Sequence, residues 1–364
     1  MIVEIFREAN YVVLLLLSFS LCLVFVMLGR SLPRLSGRPQ DLSSVQSMHD
    51  KPTPRVGGVA IFAALGLSVV YAPLQITTQY TLFMLSAALL FAIGLLEDLG
   101  FGVTPRKRLL AAIGASLFVV GLLGVWLPRA DTPGLDTLMQ HWFVAIPLTL
   151  FITAGVANGF NLIDGVNGLA ALTAIAAALA LSQIAEQAGY TVMVSLALML
   201  AASILGFFVV NYPFGWIFLG DAGAYTLGFI LSWFGIAILH NAPDATPWAI
   251  LLVLFWPVAD TSLAIYRRSQ RRRDAMAPDK LHVHQMVKRA VEICVRAPEI
   301  RQYANPLSTL ILAPFVLVPP AVGVIFWNQP VMAFAANLIF AALFFVSYAI
   351  APQFIRRFRR DIRD

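Results

Sequence analysis

The chain has 364 residues, of which 59% are hydrophobic and only 12% are charged, and its mean hydropathy is +0.81. So few charged side chains cannot cover the surface of a soluble domain of this length. This excludes soluble enzymes and nucleic-acid-binding modules and predicts an integral membrane protein. The two cysteines, Cys22 and Cys294, offer neither a disulfide pair nor a metal set. The net charge of +6 matters less than where the charges lie.

Eleven apolar runs approach the roughly 20 helical residues that a bilayer core demands. They lie at roughly 11–30, 56–74, 80–97, 107–127, 142–160, 168–185, 190–210, 222–240, 248–266, 307–327 and 331–350. Glu4, Arg7 and Glu8 do not form a basic leader, so we expect the first run to be a retained helix. The expected fold is therefore all-α, a polytopic membrane helix bundle that forms one domain over residues 1–364.

Positive charge sorts the connections between these runs into two sets. Of the 25 lysines and arginines, 23 fall in alternate connections and in the tail, and only Arg7 and Arg129 fall in the other set. The positive-inside rule then predicts an external, periplasmic N-terminus and a cytoplasmic C-terminus. An even number of spans would break this sorting, which favours eleven. The external connections are short, so function is expected on the cytoplasmic side.

Five polar segments lie on that predicted cytoplasmic side. Their ranges are 31–55, 97–108, 158–168, 211–221 and 267–305. The third reads Asn-Gly-Phe-Asn-Leu-Ile-Asp-Gly-Val-Asn-Gly between two long apolar runs. Burying several amides and a carboxylate at a membrane boundary is costly unless something binds them, and glycine lets backbone approach a ligand closely. A simple polar turn between helices is the alternative, and five such segments on one side argue against it.

The first two segments offer charges of both signs. Lys51 and Arg55 stand before a helix N-terminus, which suits an anionic ligand, although charged flanks of a span are also common. Glu97 and Asp98 are adjacent carboxylates at the end of a span. Their repulsion would be relieved by a cation or a metal ion, whereas a bare acidic helix end would oppose the helix dipole.

The last two segments offer ligands for metal and phosphate. Asp221 could be an ordinary helix cap, or a hard oxygen ligand that together with Asn161 would suit Mg²⁺. His282 and His284 could be a metal pair, but no third ligand is evident, and contact with phosphate is favoured. Asp260 lies inside the ninth run and should face the protein interior, where pairing with a cation is an equal alternative.

In this order, the segments resemble the polyprenyl-phosphate N-acetylhexosamine-1-phosphate transferases. The shared elements are the lysine-containing loop before Gly57 and Gly58, the acidic pair, Asn-x-x-Asn-x-x-Asp-Gly-x-Asn-Gly, Phe-x-Gly-Asp-Ala-Gly and Pro-Asp-x-x-His-x-His. Together they span residues 49–284. Eleven spans resemble the O-antigen-initiating branch, since the peptidoglycan branch has ten. The family pair is usually Asp-Asp, so Glu97 departs from the pattern.

The resemblance implies transfer of N-acetylhexosamine 1-phosphate from a UDP-sugar to undecaprenyl phosphate at the cytoplasmic leaflet of a bacterial inner membrane. The products would be undecaprenyl-diphosphate-sugar and UMP, in a first step of O-antigen or other surface polysaccharide synthesis. It further implies Mg²⁺ or Mn²⁺ as cofactor, and a homodimer is possible in this family. The implied site residues are Asp98, Glu97 and Asp164 for catalysis, Lys51, Lys107, Asn167, His282 and His284 for substrate, and Asn161 and Asp221 for metal.

Three alternatives stay open at the level of the sequence. One is the phospho-MurNAc-pentapeptide transferase of peptidoglycan synthesis, and another is a non-catalytic paralogue in which Glu97 replaces the usual aspartate. A secondary transporter would also be polytopic with buried polar residues, but it should carry them near mid-membrane in paired halves. Here the polar residues gather at one face.

Overall fold

The computed structural model describes residues 2–29, 53–270, 282–294 and 303–361. Within these ranges it contains helices and their connections and no β-strand. Lys51, most of segment 31–55 and parts of segment 267–305 lie outside the described residues. The all-helical expectation is confirmed for the part of the chain that is described.

Fourteen helices make up the described ranges. They are α1 (Ile2–Gly29), α2 (Gly57–Tyr71), α3 (Thr77–Asp98), α4 (Pro105–Leu123), α5 (Leu135–Met139), α6 (Trp142–Ile163), α7 (Leu169–Gln187), α8 (Thr191–Asn211), α9 (Gly220–Asn241), α10 (Pro247–Val253), α11 (Phe255–Gln270), α12 (Val283–Cys294), α13 (Ala304–Ile325) and α14 (Pro330–Asp361).

Eight of the described helices are long and apolar enough to cross a membrane, and the count becomes nine if the bent pair α10 and α11 forms one span. Two of the eleven runs expected from the sequence give helices outside that count. Helix α2 has only 15 residues, and α4 begins with the cationic triplet at 106–108. A polytopic membrane protein is thus confirmed, and the number eleven stays a prediction.

The run at 248–266, expected to be a single span, is broken in the structure. Helices α10 and α11 meet at Leu254 with a bend of 82°. Pro257 in the first turn of α11 has no N–H to donate to the carbonyl of Val253, and its ring would clash with that carbonyl in a straight helix. The break turns Asp260 and the following residues away from the axis of α10.

Helix α9 is the centre of the bundle, with nearly every side chain from Gly220 to Leu239 buried. It packs against α2, α3, α6 and α7. At its beginning the approach is close: a Cβ added to Gly58 would lie 2.4 Å from the nitrogen of Gly223, and one added to Gly94 would lie 2.6 Å from Cα of Ala222. Small residues therefore let three helices meet where polar residues begin.

Candidate active site

The first and fourth polar segments pair through their backbones. The N–H of Phe218 donates to the carbonyl of Pro54 at 2.8 Å, and the N–H groups of Gly57 and Gly58 donate to Phe218 and Leu219 at 2.9 and 2.8 Å. Residues 161 to 164 positions apart in sequence are thereby fixed side by side. This pairing places Arg55 at the beginning of α9.

Asp98 caps α9 from a neighbouring helix. Its two carboxylate oxygens accept hydrogen bonds from the backbone N–H groups of Asp221 and Ala222 at 2.8 and 2.9 Å, and the side chain is buried. These N–H groups would otherwise be unsatisfied at the helix beginning. Gly220, with φ of +75°, lies so close that a Cβ would be 2.6 Å from Asp98 Oδ2. Only glycine fits this turn.

Glu97 turns to a different partner. Its carboxylate accepts a hydrogen bond from the N–H of Val103, which closes the connection between α3 and α4. The two adjacent carboxylates thus accept from separate backbone donors. Lys107, expected to bind phosphate, has an exposed side chain at the beginning of α4.

Arg108 forms an ion pair with Asp221, and both side chains are largely buried. Its guanidinium also lies over the ring of Tyr225, 5.7 Å from the ring centroid. The Tyr225 hydroxyl donates to Asn158 Oδ1 at 3.1 Å and also interacts with Asn161. Asp221 therefore contacts the guanidinium of Arg108, and Asn161 contacts the phenol over which that guanidinium lies.

This surrounding fits a divalent cation held by few protein ligands. Asp221 supplies a carboxylate that already binds a positive group, the guanidinium of Arg108, and Asn161 supplies an amide oxygen beside the Tyr225 phenol. Within the described ranges no group of three or more His, Cys, Asp or Glu side chains could hold a metal. Mg²⁺ is compatible with such a site because it completes its shell with water and substrate phosphate.

Asp164 directly follows the last residue of α6. It lies near Asp98 of α3 and Arg55 of the first segment. Burial raises the pKa of its carboxyl to about 7, and the nearby positive charge of Arg55 only partly opposes the rise. Asp98 interacts electrostatically with both residues. The sequence-predicted carboxylates Asp98 and Asp164 are therefore brought together around Arg55.

Asn167 is held on all sides but one. Its N–H donates to Asn305 Oδ1 at 2.7 Å, its carbonyl accepts from the Thr309 hydroxyl at 2.6 Å, and its Nδ2 donates to the carbonyl of Pro213 at 2.9 Å. Its Oδ1 is buried without a hydrogen-bond partner. A buried acceptor without a partner costs about 1–3 kcal/mol, so the anchored Asn167 presents a free acceptor for a ligand.

The two histidines lie on the other side of the same turn. His282 Nδ1 is 2.7 Å from Asp260 Oδ2, and the His282 and His284 rings stack with centroids 5.8 Å apart. The His284 ring rests on Gly165, where an added Cβ would be 2.2 Å from Nε2. The structure therefore joins the third and fifth polar segments.

Several buried polar atoms around this turn have no hydrogen-bond partner among the described residues. They are Asn167 Oδ1, His282 Nε2, both ring nitrogens of His284, Gln285 Oε1 and Asn305 Nδ2. The two asparagines are joined by a hydrogen bond, the two histidine rings stack, and His284 contacts Gly165 in the same turn as Asn167. We call them the open polar cluster. Such a concentration in a native fold indicates a site that a polar ligand or water fills.

Sequence reasoning missed Arg108, Tyr225 and Asn305. Arg108 had a signal, because it is next to Lys107 and one helical residue turns a side chain by about 100°. The turn buries Arg108 and leaves Lys107 exposed. Asn305 had no such signal, since its contact with Asn167 crosses 138 positions of sequence.

Comparison with known proteins gives a consistent result. Residues 80–239 match the model of glycosyl transferase family 4. The "Probable undecaprenyl-phosphate N-acetylglucosaminyl 1-phosphate transferase" of Bacillus subtilis is 31% identical over 245 residues, which are 67% of this chain and 68% of that protein. A decaprenyl-phosphate N-acetylglucosaminephosphotransferase of Mycobacterium tuberculosis is 28% identical over 269 residues, covering 66% of each chain.

A third relative extends the match to nearly the whole chain. The undecaprenyl-phosphate alpha-N-acetylglucosaminyl 1-phosphate transferase of Yersinia pestis is 26% identical over 343 residues, 89% of this chain and 88% of that protein. The matched family region contains the acidic pair, the third polar segment and the beginning of α9, which are part of the site described above. On the identity and coverage of these matches, the chain belongs to glycosyl transferase family 4.

Proposed function

We propose that the chain transfers N-acetylhexosamine 1-phosphate from a UDP-sugar to undecaprenyl phosphate and releases UMP. The relatives carry names of this activity with N-acetylglucosamine as the sugar. The observation that carries the proposal is the open polar cluster beside the Arg55, Asp98 and Asp164 group. Amide, imidazole and charged groups meet there at one end of a membrane helix bundle.

The reaction explains this set of residues. An oxygen of the lipid phosphate attacks the β-phosphorus of the donor, the bond from that phosphorus to the bridging oxygen breaks, and UMP leaves with the bond's electron pair. The acceptor is already anionic near neutral pH, so alignment and charge compensation matter more than a strong base. Arg55 and Arg108 supply positive charge, and Asp98 holds the N-terminus of α9 in place.

Asn161 and Asp221 are proposed to hold Mg²⁺, with Mn²⁺ as a substitute. The ion would supply positive charge that offsets the repulsion among the phosphates of donor and acceptor. The Asp221 carboxylate already pairs with a cation, the Arg108 guanidinium, and this supports the assignment.

The remaining substrate contacts are proposed on the same geometry. The free Oδ1 of Asn167 is assigned to the uracil edge, and His282 and His284 to the phosphates. Lys107, exposed at the beginning of α4, and Lys51, outside the described residues, are proposed to attract the anionic donor. Glu97 is proposed to act through the α3–α4 connection that it closes.

Topology completes the proposal. Eleven spans, an external N-terminus and a cytoplasmic C-terminus would put the site at the cytoplasmic leaflet of the bacterial inner membrane, where the nucleotide sugar is made. The sorting of 23 of 25 basic residues supports this orientation. A homodimer is proposed as the assembly, on the family resemblance alone.

The decisive experiment uses the purified chain in detergent with undecaprenyl phosphate and radiolabelled UDP-N-acetylglucosamine. We expect label in the lipid fraction, UMP as the second product, and loss of transfer when EDTA removes divalent metal. UDP-MurNAc-pentapeptide in place of the donor tests the peptidoglycan reaction. Label that stays in the aqueous phase with every UDP-sugar tried contradicts the proposed function.

A further inference from the structure

Asp260 is a buried carboxylate whose described contacts are with His282 and Val283, at the beginning of α12. Oδ2 is 2.7 Å from His282 Nδ1, and Oδ1 accepts from the N–H of Val283 at 3.3 Å. The side chain is 1% exposed. Both oxygens are therefore engaged by residues 282 and 283, and Asp260 has no direct path to a substrate.

The contact with Asp260 determines which ring nitrogen of His282 is available to a ligand. A carboxylate accepts hydrogen bonds, so Nδ1 must carry the proton, and the ring orientation is fixed by a partner on another helix. The other ring nitrogen, Nε2, is buried without a partner in the described part of the chain. Because Nδ1 already carries a proton, Nε2 donates to a ligand only in the doubly protonated ring, whose positive charge the Asp260 carboxylate offsets.

His284 lies in a different electrical environment although it is two residues away. Burial lowers the pKa of His284 to about 4, with the positive charge of His282 adding to the effect and Asp260 opposing it. At neutral pH its ring is uncharged. It can give one hydrogen bond and accept another, but it cannot offset phosphate charge.

We propose that Asp260 is a positioning residue for the nucleotide donor: it holds His282 so that Nε2 donates to the diphosphate, while His284 contributes only a neutral hydrogen bond. The inference rests on the proposed function, because the diphosphate belongs to the UDP-sugar. The sequence pattern assigned phosphate binding to both His282 and His284, whereas here the two histidines have different roles. The bend at Leu254 is what brings Asp260 within reach of α12.

The test compares UDP with uridine, which lacks both phosphates, in competition with radiolabelled UDP bound to the purified chain. Asp260→Asn keeps the size of the side chain and one acceptor but removes the charge. We expect UDP to bind about tenfold or more weakly, the loss typical of a charge-assisted hydrogen bond, with uridine binding changed less than twofold. His282→Gln should behave alike, and His284→Gln should lose less UDP affinity than either.

A double variant separates positioning from general damage. If Asp260 acts through His282, then Asp260→Asn combined with His282→Gln should bind UDP no more weakly than His282→Gln alone. The inference is overturned if the loss of UDP affinity in the double variant equals the product of the two single losses. It is also overturned if UDP and uridine binding are weakened equally. Should Asp260→Asn fail to fold, equal UDP losses in His282→Gln and His284→Gln would overturn it by themselves.

Two results distinguish this inference from the proposed function. If the wild-type chain transfers label and the Asp260→Asn variant binds UDP as tightly as wild type, only the role of Asp260 is refuted. Wild-type chain that neither binds UDP nor transfers label refutes the proposed function and the donor assignment with it.

Discussion

Asp98 shows how one carboxylate can serve both the fold and the chemistry. Each of its oxygens accepts one N–H from the beginning of α9, and each keeps a second lone pair that could meet a cation or water. An asparagine at this position would present an NH₂ group to one of two backbone donors. The exchange would leave a buried N–H without a partner.

We therefore expect Asp98→Asn to lower kcat on the order of 10²-fold or more and also to lower the thermal stability. Glu97→Gln should be intermediate, because the amide oxygen can still accept from Val103, and Glu97→Asp should keep substantial activity. Initial rates at saturating substrates and melting temperatures of folded, monodisperse variants check both. An inactive Glu97→Gln beside an active Asp98→Asn would reverse the roles.

Asp164 allows a prediction about pH. Its pKa is raised to about 7, so the folded chain keeps a proton there that the unfolded chain loses above pH 4. The favourable contribution is complete below the unfolded pKa and is lost as pH rises through about 7. The Asp164→Asn variant has no carboxyl group to ionise, so it does not lose this stability as the pH rises. We expect the variant to gain stability over wild type at pH 8, on the order of 1–2 kcal/mol after allowance for partial exposure.

The measurement is the difference in melting temperature between variant and wild type at pH 5 and pH 8, together with the rate of transfer. The difference should be larger at pH 8, and transfer should be strongly reduced. A stability gain that is independent of pH would contradict a raised pKa at Asp164.

Asn167 allows a prediction about the nucleobase. Its backbone is held by Asn305 and Thr309, so Asn167→Ala should leave the turn in place and remove only the free acceptor and the contact with Pro213. We expect UMP to bind more weakly by about 1–3 kcal/mol, with unchanged affinity for the lipid acceptor. Ser68→Ala, which removes a buried hydroxyl bonded to Tyr80, is the control and should leave UMP binding intact.

At the scale of elements, close helix contacts hold the site together. Gly94 lies where α3 meets α9, and an added Cβ would be 2.6 Å from Cα of Ala222. Gly114 in α4 has no atom within 4 Å of the same position. The two glycines therefore form a matched pair in which only the neighbour differs.

Gly94→Ala should destabilise the chain and weaken transfer, since backbone must shift at the beginning of α9, next to Asp98 and Asp221. Overpacking of this kind costs about 1–3 kcal/mol. Gly114→Ala should be neutral or mildly stabilising because alanine is the better helix former. Melting temperature and initial rate are measured for both. Equal effects in the two variants would show that the contact with α9 does not matter.

At the scale of the whole molecule, the proposed orientation can be read with single cysteines. In a chain with Cys22 and Cys294 replaced by serine, Gln140→Cys directly after α5 should react with a membrane-impermeant maleimide added to intact cells. Ser269→Cys at the end of α11 should react only after the membrane is opened. The opposite pattern would contradict an external N-terminus and eleven spans.

Composition, hydropathy and the distribution of basic residues determined the class, the helices and the polar face, because a bilayer imposes length and charge rules that act on each segment separately. The motif residues Asp98, Asp164 and Asn167 came instead from the polar segments and from the family resemblance that these segments carry. Tertiary structure alone decided which neighbours they meet. The rotation of successive side chains around α4 buries Arg108 and leaves Lys107 exposed. The bend before Pro257 places Asp260 next to His282. Such contacts depend on how helices pack, and no local pattern records them.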